Sequence, residues 1–216
     1  MPARTVHKQK PPPAFAEDHA KGASIGALHR QAEKCQRCDL YKYATQVVFG
    51  EGPATAQLVL VGEQPGDRED EVGRPFVGPA GRLLDECLHE AGIDRSLCYV
   101  TNSVKHFKFE QRGKRRLHAR PNAGEIQRCA WWLGAEFDLL EPRLIVALGA
   151  TALYSLMGRS VGLTKERGQV LKTMNGTPLL VTVHPSYLLR IRDREDAQKA
   201  RQTFVADLAL TKPYLS

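Results

Sequence analysis

The chain has 216 residues, 42% of them hydrophobic and 25% charged, with 31 Lys+Arg against 24 Asp+Glu for a formal net charge of +7. That composition supports a packed core and excludes collagen-like, coiled-coil, disulfide-scaffold and wholly disordered chains, while the positive excess favours a polyanionic partner, nucleic acid ahead of membrane. No run reaches the roughly 20 apolar residues of a bilayer-crossing helix, and Met1-Pro-Ala-Arg-Thr5 carries no apolar signal segment, so a cytoplasmic protein is expected.

Residues 1–22 mix Lys and Arg with Pro11-Pro12-Pro13 and read as a flexible basic, proline-rich tail; residues 23–216 read as one domain. A short helix, Ile25 to Lys34, leads into Cys35-Gln-Arg-Cys38. Gln57-Leu-Val-Leu-Val-Gly-Glu63 is an apolar run bounded by turn residues, the pattern of a fully buried strand. A Gly/Pro-rich loop follows, then helical spacing from Gly81 to Ala91 and a strand from Ser96 to Val104 with Asn102 near its end. Residues 105–122 read as a basic, polar loop and Gly124 to Leu140 as a helix. A third strand, Arg143 to Gly149, is followed by the helix Ala150 to Met157. The fourth strand, Leu179 to Val183, runs directly into His184-Pro-Ser186, and a helix from about Glu195 to Thr211 closes the chain. Alternating strands and helices predict an α/β fold, a three-layer α/β/α sandwich on a mainly parallel four-stranded sheet. Glu63, Asn102, Gly149 and His184 all fall at or just past carboxyl ends of strands, the edge where open α/β sheets bind ligands.

Five cysteines without an export signal argue for metal or cluster ligation rather than disulfides. The spacing Cys35-x-x-Cys38 suits either a zinc or an iron–sulfur site. Cys87 and Cys98 lie on apolar faces and read as buried, inert side chains. In the loop after the first strand, Gly62-Glu-Gln-Pro-Gly-Asp-Arg-Glu-Asp70 continues to Gly73-Arg-Pro-Phe-Val-Gly-Pro-Ala-Gly81. Glycines there permit close backbone approach to a ligand, and Phe76 offers a stacking face. A plainer reading makes Phe76 core, and Asp67, Glu69 and Asp70 a solvated face.

This string resembles the signature of the iron–sulfur uracil-DNA glycosylases, family 4 of their superfamily: Gly-Glu-x-Pro-Gly, then Glu-Asp, then Gly-x-Pro-Phe-Val-Gly-x-Ala-Gly. The resemblance implies a uracil-DNA glycosylase domain over residues 23–216. By the same resemblance, Gly62, Phe76, Asp67 and Ser186 contribute to substrate binding, and Asn102 reads the Watson–Crick edge of uracil. His184, in Val183-His-Pro-Ser-Tyr187, donates to O2 of the departing base. The family also implies two further cluster ligands; Cys129 fits one, and His106 stands where the family usually has cysteine. Cys35, Cys38, His106 and Cys129 are therefore expected to hold a 4Fe-4S cluster with a structural role, zinc being the alternative that a colourless protein would indicate.

The run Lys114-Arg-Arg-Leu-His118 resembles the Lys-Arg-Arg-Ile-His loop of the UdgX branch of these enzymes, in which the histidine bonds covalently to C1′ once uracil has left. Gln64 is shared with that branch. The expectation is covalent capture by His118, with Glu63 and Gln64 orienting it and Lys114, Arg115 and Arg116 holding the DNA backbone. Uracil in single-stranded DNA is the expected target, since unstacking is cheaper there. Uracil is the expected bound product, no membrane partner is expected, and the protein is expected to be a monomer. The alternatives are a turnover family 4 glycosylase in which His118 only touches phosphate, and a cluster-bearing DNA-binding module without catalysis.

Overall fold

The computed structural model describes residues 24–215, so the reading of residues 1–22 as a tail lies outside the described residues. The apolar run after Gln57 forms strand β1 (Leu58–Gly62), in which every residue is buried. That pattern belongs to a parallel strand covered on both faces. Beside it lies β2 (Cys98–Asn102), parallel and in register from Leu58↔Cys98 to Gly62↔Asn102, so the two strands end level. On the other side of β1 lie β5 (Leu144–Leu148) and then β7 (Pro178–Thr182), also parallel. The expectation of four strands is corrected to five, because β6 (Val170–Lys172) adds an antiparallel edge, giving the order β2-β1-β5-β7-β6. Only three residues long and carrying no buried residue, β6 has no apolar pattern to announce it.

Alternation along β1 separates two cores. Leu58 and Leu60 face α3 (Pro79–Glu90) and α8 (Arg194–Ala209), packing with Leu84, Leu88, Phe204 and Leu208. Val59 and Val61 face α4 (Ala123–Leu140) and α5 (Ala150–Met157), packing with Leu133, Phe137, Leu153 and Leu156. These are the two outer layers of the expected sandwich. The helix α4 starts on a reciprocal cap: Glu125 N–H donates to Asn122 Oδ1 at 2.9 Å, and Asn122 N–H donates to Glu125 Oε2 at 2.7 Å.

The basic segment 105–122 is not an open loop. It holds a hairpin, β3 (Phe109–Arg112) and β4 (Arg115–His118), paired from Phe109↔His118 to Arg112↔Arg115. The turn passes through Gly113 at φ 57°, a conformation that glycine adopts without strain. Both strands are largely exposed, so no buried face imposed the alternation by which a strand is recognised in a sequence. The chain leaves β1 to form β2 on one side of it and β5 on the other. The crevice between the carboxyl ends of β1 and β5 is therefore the topological switch point, the place such sheets bind ligands.

Candidate active site

A cleft of about 1120 Å³ opens at that switch point and is lined by Glu63, Phe76, Asn102, His118, Thr151 and His184 among others. Four separate segments thus converge there, as the strand ends predicted.

One end of the cleft is shaped to take a flat polar ring. A side chain on Gly62 would put its Cβ 2.3 Å from Asn102 Oδ1 and 2.7 Å from Phe76 Cζ, so glycine is what lets these two groups close on the pocket. Phe76 adopts φ 56°, a left-handed backbone uncommon outside glycine and a store of local strain. Its carbonyl is pressed against Gly81, where a Cβ would have no room at all. The Phe76 and His184 rings lie 6.1 Å apart at 28°. Asn102 is buried, its donor and acceptor available at the edge of the pocket.

His184 has a fixed proton. The Ser186 backbone N–H donates to its Nδ1 at 3.2 Å, which makes Nδ1 the acceptor and leaves the hydrogen on Nε2. Burial pushes its pKa down to about 4, with the charges of His118 and Arg190 acting in the same direction. At neutral pH the residue is a neutral imidazole with an Nε2–H donor. The Ser186 hydroxyl lies 2.9 Å from Nδ1, so it supports the histidine.

At the other side stand Glu63 and His118, with Nε2 of the imidazole 3.5 Å from Oε1 of the carboxylate. Gln64 does not touch the imidazole. Its Nε2 donates to the carbonyls of Lys108 at 3.0 Å and Ala119 at 3.1 Å, and its Oε1 accepts from Lys108 N–H at 3.1 Å. Buried below the hairpin, it pins the residues flanking β3 and β4 and so orients His118 through the backbone.

Arg116, expected to hold the DNA backbone, is paired with acids of its own chain. Its guanidinium is 2.6 Å from Asp67 Oδ1 and 2.6 Å from Asp70 Oδ2, and it lies over the rings of Phe107 and Phe109. Asp70 is wholly buried and also accepts from Thr45 N–H, while buried Glu69 accepts from Gly66 and Gly78 N–H. The plainer reading of these acids as a solvated face fails for both. They belong to α2 (Asp67–Val72), a short helix to which Arg116 ties the hairpin. Asp67 lines the cleft. Lys114 and Arg115 are exposed at the hairpin tip.

Cys35, Cys38 and Cys129 share one buried apolar cluster with Leu28, Phe49 and Trp132. None of the five cysteines is in a disulfide. Trp132 Nε1–H donates to Cys35 Sγ at 3.1 Å, and Lys105 N–H donates to Cys129 Sγ at 3.1 Å. Burial raises the Cys38 thiol and pushes Cys129 up to about 12; such sulfurs ionise readily only against a compensating cation. His106, next to Lys105, is buried too, and burial lowers its pKa, keeping the imidazole neutral and available as a ligand. Among the described residues no three His, Cys, Asp or Glu groups converge on a single metal ion. A four-iron cluster takes each ligand on a different iron, and neutral imidazole with N–H-bonded sulfurs suits that donor set. Cys87 and Cys98 are buried apart from these ligands, their thiols pushed up to about 11 by burial.

Sequence reasoning missed two residues of the cleft, Thr151 and Arg120, and a buried pair behind it, Lys105 and Glu136. Lys105 is wholly buried and donates from Nζ to Glu136 Oε2 at 2.6 Å, Thr101 Oγ1 at 2.5 Å and the Asn102 carbonyl at 2.9 Å. Glu136, equally buried, also accepts from Tyr99 O–H and Gly50 N–H. Thr151 and Arg120 form a chain of hydrogen bonds to Glu63. The one available signal was a glutamate at an apolar-facing position of α4, a buried charge needing a partner.

A model of the uracil DNA glycosylase superfamily matches residues 49–209. A type-4 uracil-DNA glycosylase of Thermotoga maritima is 40% identical over 189 residues, covering 87% of this chain and 93% of that protein. One from Pyrobaculum aerophilum is 38% identical over 172 residues, covering 76% and 83%. A type-5 uracil-DNA glycosylase of the same organism is 26% identical over 171 residues, covering 71% of each chain.

Proposed function

The chain belongs to the uracil DNA glycosylase superfamily, and from that premise we propose that it excises uracil from DNA, preferring single strands, and is captured covalently on the sugar through His118. The observation that carries the second half is the approach of His118 Nε2 to Glu63 Oε1, 3.5 Å, at the mouth of the pocket containing Asn102 and His184.

The chemistry follows from the groups. Cleavage of the C1′–N1 bond sends its electron pair onto the base, so the base becomes an anion and the sugar an oxocarbenium ion. Neutral His184, donating from Nε2–H, stabilises the charge at O2, a preorganised donor where charge develops. The Asn102 amide donates to O4 and accepts from N3–H, a pattern cytosine reverses. The Glu63 carboxylate stabilises the cationic sugar. An imidazole held beside the sugar then competes with water, because positioning raises effective concentration by orders of magnitude. The Nε2–H bond pair becomes the C1′–Nε2 bond, and the proton passes to Glu63. One protein molecule is consumed per uracil.

Cys35, Cys38, His106 and Cys129 would hold a 4Fe-4S cluster that ties the loop after α1 (Ile25–Ala32) to α4 and to the segment following β2. Neither base release nor capture of the sugar changes an oxidation state, so the proposed contribution of that group is structural. Lys114 and Arg115 supply charge for the phosphate backbone, which predicts a strong salt dependence.

The test mixes the protein with a labelled single-stranded oligonucleotide carrying one uracil, with a thymine oligonucleotide and a His118→Ser variant alongside, on a denaturing gel. A slow band that survives heat and detergent, needs uracil and is absent in the variant is the expected result. Free abasic DNA with many turnovers and no such band would establish the conventional family 4 alternative, which the relatives' type-4 names favour. Neither product, from a folded brown protein, would point to a binding module.

A further inference from the structure

Between β5 and α5 the chain turns through Gly149 at φ 94°, where an added Cβ would press on His184 Cβ at 3.1 Å. The turn delivers Thr151, 2% exposed, beneath Glu63. Thr151 Oγ1 accepts from Arg120 Nε–H at 3.2 Å and is itself hydrogen bonded to Glu63 Oε2. Direction is forced by the chemistry of the groups. A guanidinium only donates, so the hydroxyl is the acceptor toward Arg120 and its single proton is directed to Glu63. Oε2 is thereby held as an acceptor, and Oε1 is the oxygen left facing His118.

We propose that Thr151, backed by Arg120, is a positioning residue for covalent capture: its hydroxyl fixes the rotation of the Glu63 carboxylate, so that Oε1 faces His118 Nε2 and receives its proton. The inference rests on the covalent reading above. In the step itself the C1′–N1 bond breaks and its pair leaves on the base. The pair of the Nε2–H bond becomes the C1′–Nε2 bond, and the proton moves to Oε1. The products are a neutral alkylimidazole, a protonated Glu63 and a uracil anion that takes a proton from solvent. Without the Thr151 hydroxyl the carboxylate is free to rotate, and water takes a larger share of the sugar cation.

The experiment measures the captured fraction, adduct over adduct plus free abasic DNA, from about pH 5 to 8 on a single-stranded uracil oligonucleotide. It compares the unmodified protein with Thr151→Val, Thr151→Ser and Arg120→Leu. For Thr151→Val the ratio of adduct to free abasic DNA falls about tenfold, the effect of losing one hydrogen bond to a charged group. Thr151→Ser restores the ratio, and Arg120→Leu shifts it in the same direction as Thr151→Val. Circular dichroism and residual uracil release report whether each variant is folded. Arg120 is exposed, so that variant serves if Thr151→Val does not fold. An unchanged ratio in Thr151→Val or in Arg120→Leu overturns the proposal, as does Thr151→Ser behaving like valine. If the unmodified protein releases only free abasic DNA, the covalent reading itself falls and this role falls with it. Adduct formation in the unmodified protein, undiminished in the variants, removes Thr151 alone.

Discussion

Replacing Lys105 by methionine removes one half of an ion pair in which both side chains have zero solvent exposure and the charged atoms are 2.6 Å apart. Glu136 would keep its bonds from Tyr99, Thr101 and Gly50 but lose its one cationic partner among the described residues. Breaking a buried pair on one side costs about 3–5 kcal/mol, because a charge stays in the interior uncompensated. That is a large share of the roughly 5–15 kcal/mol that stabilises an ordinary domain. A Glu136→Gln variant leaves Lys105 with only Thr101 Oγ1 and the Asn102 carbonyl, and a loss of similar size is expected. In the double variant K105M/E136Q neither member of the pair leaves an uncompensated charge, so it should be about 2 kcal/mol more stable than the sum of the single losses. Urea unfolding of the four proteins at pH 7, followed by fluorescence of the two tryptophans, measures this. An unshifted midpoint for K105M, or strictly additive losses, would refute the assignment of the pair as the charge balance of this core.

Three further outcomes are expected. Gly62→Ala drives a methyl into Asn102 Oδ1 and Phe76, so uracil release should fall by at least about a hundredfold, the effect of a misplaced site, with KM rising in steady-state or single-turnover assays; near-normal excision would show that the pocket tolerates the methyl. His184 has its pKa lowered on folding from 6.5 to about 4, so between those values the unfolded chain binds more protons than the folded one. Its contribution to stability is therefore complete above about pH 6.5 and is lost as pH falls toward 4, by at most about 3 kcal/mol; a pH series of thermal melts should lose this slope in His184→Asn. Gln64→Leu removes three hydrogen bonds holding the hairpin ends, and hydrogen exchange of the amides in 109–118 should quicken while the captured fraction drops. Unchanged exchange would mean that the Arg116 clamp alone holds the hairpin.

Much of the fold was legible because each element carries its own signal. The runs Leu58 to Val61 and Leu144 to Leu148 are continuous apolar strands, and helix α5 begins and ends where its pattern does. The strand β6 and the hairpin escaped because they bury no continuous face and so repeat no apolar period. The reading of Asp70 as surface failed, and its pairing with Arg116 went unseen: each seems solvated alone, and they meet across 46 residues.

The sequence by itself determined the α/β layering, the strand ends that deliver Glu63, Asn102 and His184, and the family signature, since all of these depend on residues near one another in the chain. Tertiary structure decided which polar groups are partners: Gln64 with the ends of the hairpin, Arg116 with Asp67 and Asp70, Lys105 with Glu136, and Thr151 with Glu63. Charge and hydrogen-bond pairing depend on distance in space and on exclusion of water, and neither is set until distant segments have packed.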